Sequence, residues 1–151
     1  MSLVTSVDDK KKVIFNFDLQ PIINKLVRVH KWTKEDVLAC ETLYRNFLYL
    51  NFAYGDKYKI APTHEVDLFW HEHILDTKKY IEDCNIIFGD VLHHYPYAGM
   101  DGSEINESRL KEIFQKTQEL HNVEFGYYMY KIRLSCIDMI KACFKLFKKS
   151  V

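Results

Sequence analysis

Apolar positions recur every three to four residues along most of this chain, the spacing of helices that bury one face. Between Asp18 and His30 the apolar set is Leu19, Ile22, Ile23, Leu26 and Val27, and Pro21 suits the first turn of the helix it predicts. Thr33 followed by Asp36 reads as a helix start of the capping-box type. Val37, Leu43, Phe47, Leu48 and Leu50 carry that pattern to about Tyr54, where Gly55 and Asp56 stop it.

After the loop Gly55 to Pro62, Thr63 can cap another helix, with Glu65 and Asp67 in its positive first turn. Asp76 and Thr77 either continue that helix or cap a second one that ends at Gly89. The stretch from Asp90 to Ser103 has the composition of a structured loop. Two more helices are expected, roughly 104 to 124 and 127 to 148, broken near Gly126. The last carries Tyr130, Ile137, Ile140, Phe144 and Phe147 beside Lys131, Lys141, Lys145, Lys148 and Lys149. Packing against other helices is the commoner use of such a stripe, and lying on a membrane surface the rarer.

The expectation is an all-α compact bundle of about five or six helices in a single domain, 1–151, with residues 1–17 a loosely ordered N-terminal segment. The length of 151 residues allows one core that needs neither metal nor disulfide to fold. Lys plus Arg equals Asp plus Glu at 21 each, which removes the electrostatic case for nucleic-acid binding. No apolar run is long enough for a membrane span. Four cysteines without a CxxC pair indicate neither a zinc ribbon nor a disulfide framework, and Cys136 and Cys143 read as buried thiols. A soluble, intracellular, cytoplasmic protein is the resulting expectation, with an unknown protein or small-molecule partner.

The chemistry concentrates in one place. Five of the seven histidines, His64, His71, His73, His93 and His94, fall within 31 residues, together with Asp67, Asp83 and Cys84. At about 100° per residue, His64, Asp67 and His71 share one helix face and His73 points nearly the opposite way. Imidazole and carboxylate on one face suit a divalent transition metal, zinc first, with iron, manganese or nickel admitted by the same donors. The expected ligands are Asp67 and His71 first, then His93 and His94, then Cys84, His64 and His73.

The bland reading is a hydrogen-bonded core in which Asp67 merely orients His71. In that case the chain is an interaction or adaptor module with contact points such as Tyr95-Pro96-Tyr97. His64-Glu65 and His71-Glu72 each begin an H-E-x-x-H pattern, but Leu68 and Leu75 occupy the fifth positions, so the metalloprotease helix is absent. Serine-hydrolase, phosphate-loop and dinucleotide signatures are absent as well. A Cys84 nucleophile with a histidine base is the remaining enzymatic alternative, without support from spacing.

Pro62, Val66, Asp67, Trp70, His71, His73, Leu75, Tyr80, Asp83, Cys84, Phe88, Gly89, His93 and His94 form a pattern that resembles the glycine-rich domain-containing protein-like family. With Leu43 to Leu50 and Glu124-Phe125-Gly126, the resemblance covers roughly residues 33 to 126. It implies no particular reaction, and the chain has five Gly and no glycine-rich tail. The pattern includes both histidines of W-H-x-H, so His73 either has a separate role, such as a buried hydrogen bond, or the helix ends there and lets both turn inward.

Overall fold

The computed structural model describes residues 6–98 and 102–132. Within them the chain forms six helices and no strand: α1 (Val7–Asn16), α2 (Gln20–Arg28), α3 (Lys34–Tyr54), α4 (His64–Leu75), α5 (Thr77–Phe88) and α6 (Glu104–Phe125). The all-α expectation holds.

Helix α3 is the axis of the bundle. Leu43, Tyr44, Asn46, Phe47, Leu48, Tyr49 and Leu50 are all buried, so over two turns the helix is covered on every side. It packs against α1, α2, α4 and α6. The Thr33 hydroxyl accepts the Asp36 backbone N–H at 3.1 Å, the cap read from the sequence. Asn46 is polar yet buried, and its amide satisfies itself by donating to the Tyr127 hydroxyl at 3.0 Å and meeting His121 Nε2 at 3.0 Å.

The N-terminal segment corrects the expectation of loose order, since Val7 to Asn16 is helical. Ser6 caps α1 through a 3.1 Å bond from the Asp9 N–H, and Ile14 is fully buried. Arg45 on α3 donates to the Ile14 and Phe17 carbonyls at 2.8 and 2.9 Å, supplying partners that the last turn of α1 lacks within itself. Glu41 holds that guanidinium at 2.6 Å.

The alternative of one kinked helix or two resolves as two. Asp76, at ψ 70°, leaves the helical region between α4 and α5. Gly89 ends α5 at φ 81° and Gly126 ends α6 at φ 80°, left-handed positions where a Cβ would be strained. The helix expected over 127 to 148 does not begin there, because 127–132 are not helical; the rest of that expectation lies outside the described residues. Among the described residues no helix is long and apolar enough to cross a membrane.

Candidate metal centre

Helix α4 starts at Thr63, whose hydroxyl accepts the Val66 N–H at 3.4 Å. Its inward face is Val66, Phe69, Trp70 and His73, and its outer face carries Asp67 and His71, one turn apart. Across from them stands His94, on the irregular segment after α5. His94 Nε2 lies 2.9 Å from Asp67 Oδ1, and His71 Nδ1 lies 3.5 Å from Asp67 Oδ2. The two imidazole rings are 4.5 Å apart at their centres. One donor atom from each of Asp67, His71 and His94 falls within 4.8 Å of the others, so a single ion could reach all three.

His94 is not held by chance. The Trp70 indole N–H donates to the Tyr80 hydroxyl at 2.9 Å, and that hydroxyl donates to the Leu92 carbonyl two residues before His94. Trp70 also meets the His94 ring edge-on at 4.6 Å. Burial pushes the Tyr80 hydroxyl pKa well above the ordinary tyrosine range, so it stays a donor. The frame around the site is therefore built by α4 and α5 together.

The other candidate ligands stand apart. His73 is 1% exposed and belongs to a separate chain of bonds: its Nδ1 is 2.7 Å from the Tyr44 hydroxyl and its Nε2 is 3.0 Å from Asp83, which also pairs with Lys79 at 2.9 Å. This is the buried hydrogen-bonding role set out above as one alternative. Burial raises the Asp83 pKa, but the hydrogen bonds from His73 and Lys79 outweigh it and hold the carboxylate below its usual range.

Cys84 is buried on α5, and desolvation raises its thiol pKa against the opposing influence of the neighbouring Leu92 backbone and Tyr80 hydroxyl. A buried, protonated thiol is a poor ligand and a poor nucleophile. His64 is exposed at the first position of α4, about 10 Å of helix rise from His71, so sharing a face with it does not bring the two together. His93 is also exposed, beside His94 but outside the group.

Sequence reasoning missed Tyr44, the partner of His73, and the structural histidine His121. His121 is fully buried, with Nδ1 2.6 Å from the Tyr127 carbonyl. Desolvation lowers its pKa below the usual histidine range, more than the carbonyl raises it. Both partners are remote in sequence or on an irregular segment, where periodicity gives no signal.

Fold and site together define a small all-α domain with a half-exposed His/His/Asp group on its surface. The chain belongs to the UCP032817-like family, whose model matches residues 9–130. This match replaces the glycine-rich domain-containing protein-like resemblance. The motif residues that carried the resemblance lie inside the matched span, but the match extends to α1 and α2, which that reading left out. No curated protein and no solved structure matches the chain.

Proposed function

We propose that this chain is a divalent transition-metal-binding domain, with Asp67, His71 and His94 as the protein ligands and zinc as the metal. The convergence of two imidazoles and one carboxylate within 4.8 Å carries the reading. The group is reachable from solvent, with the His71 side chain 44% exposed. Three protein ligands leave a tetrahedral ion one open position, the arrangement of catalytic sites in contrast to closed structural ones. A bound ion would supply Lewis-acid activation of water, which makes metal-assisted hydrolysis the reaction class to screen. Binding would replace the present His94–Asp67 contact, because a ring nitrogen that ligates the ion carries no proton to donate, and Asp67 would turn a carboxylate oxygen to the ion instead.

The test is elemental analysis and zinc titration of protein purified without a metal-affinity tag. Near-stoichiometric zinc is expected in the wild type, lost in Asp67→Ala and His94→Ala while the fold persists. A folded wild type that neither carries nor takes up zinc would sink the reading.

One observation favours a second reading, an interaction module. His94 and Asp67 already satisfy each other at 2.9 Å, and Tyr95 and Tyr97 next in the chain are 71% and 65% exposed. Stability unchanged by a chelator, in a metal-free wild type, points that way.

A further inference from the structure

A cavity of about 600 Å3 opens between the start of α4, where His64 lines it, and α6. The Ala61 N–H donates to Thr117 Oγ1 at 2.9 Å and fixes the segment entering α4 against α6. Pro62, Leu110 and Phe114 give the cavity apolar walls, and Glu65, Lys111 and Lys131 line it with charge. Its volume falls in the range that small-molecule sites occupy.

Glu65 is the member that needs explaining. It is 8% exposed, and its Oε2 is buried without a hydrogen-bond partner. Among the described residues no ion pair joins it to a cation, although both lysines line the same space. Its place in the first turn of α4 gives it favourable backbone dipoles, which soften the cost of an anion there but do not satisfy that oxygen. A carboxylate withdrawn from water without a partner is costly, and a ligand cation would relieve the cost.

A bare metal ion does not fit, because one carboxylate among apolar walls cannot replace a hydration shell. A simple amine fits Glu65 but leaves two lysines facing it with like charge. We propose that the cavity binds a small zwitterion of the amino-acid type. Glu65 turns its covered carboxylate toward the cavity to meet the ammonium group, the apolar side chain packs on Leu110 and Phe114, and the ligand's carboxylate faces Lys111 and Lys131. None of Asp67, His71 and His94 lines this cavity.

The test titrates the full chain with L-phenylalanine, phenethylamine and 3-phenylpropionate, following backbone amide shifts and heat. Phenylalanine binds saturably, and Glu65→Gln weakens it at least about tenfold. Replacing both lysines by Ala weakens phenylalanine and strengthens phenethylamine, which no longer faces like charge. Glu65→Gln also raises the ligand-free Tm by about 2 to 4 °C, because a neutral amide costs less to bury than an unpaired carboxylate. Absence of saturable phenylalanine binding, unchanged binding in Glu65→Gln, equal affinity for 3-phenylpropionate, or a lowered Tm in Glu65→Gln would each overturn the proposal.

Discussion

His71 and His73 stand two residues apart on the same helix and live in different media. His73 is 1% exposed and pinned between Tyr44 and Asp83, whereas the His71 side chain is 44% exposed and, among the described residues, faces Asp67 and His94. A helix turns about 200° over two residues, so one W-H-x-H motif feeds the core with one imidazole and the surface with the other. Histidine content in a motif therefore says nothing about shared chemistry until the face of each ring is known. The inward ring holds α3, α4 and α5 together; the outward one remains free to bind.

The contrast breaks most sharply in His73→Ala. The variant leaves the Tyr44 hydroxyl without its 2.7 Å partner, removes one partner of Asp83 and opens a cavity beside Phe17 and Tyr80. A loss of about 3 to 5 kcal/mol in urea unfolding is expected, against less than about 0.5 kcal/mol for the half-exposed His71→Ala. Equal losses in the two variants would erase the distinction between core and surface imidazole.

Tyr80→Phe sharpens it at intermediate scale, because Tyr80 belongs to the core frame but acts on the surface site through Leu92. About 1 to 2 kcal/mol of stability should disappear with the hydroxyl. Amide hydrogen exchange between Val91 and His94 should speed up, and, on the proposed function, zinc affinity should fall several-fold with Asp67, His71 and His94 all intact. Unchanged exchange in that segment would show that Tyr80 does not hold it.

The smallest expected effect concerns the other buried histidine. His121 has a folded-state pKa below its ordinary value, so near pH 6.5 and below the unfolded chain takes up a proton that the folded chain resists. The stability from neutral His121 is present above that range and drains as pH falls toward the folded-state pKa. Urea unfolding at pH 7, 6 and 5 should show this slope in the wild type and a flatter one in His121→Gln. Identical slopes would remove His121 as the source.

Helices α2 to α6 and several of their ends were legible because capping and periodicity are local, whereas the break at Asp76 stayed open and the helix expected from 127 does not begin there. Thr33, Thr63, Gly89 and Gly126 stop or start helices through atoms within four residues of themselves. The N-terminal helix was not legible, since a polar start hides a face whose docking depends on Arg45, some 30 residues further on. Asp67 and His71 could be paired by their one-turn spacing. His94 could be named only as one of two adjacent histidines.

Along this chain, then, the sequence by itself determined several of the helix ends, which faces are apolar and that His, Asp and Cys crowd one stretch. Only the tertiary structure decided which of those side chains meet. It turned His73 and Cys84 into the core, left His64 and His93 in solvent, and brought His94 across 27 residues to Asp67. The reason is physical: secondary structure is set by contacts within a turn, whereas a site is set by how helices cross and by the few hydrogen bonds that pin an irregular segment.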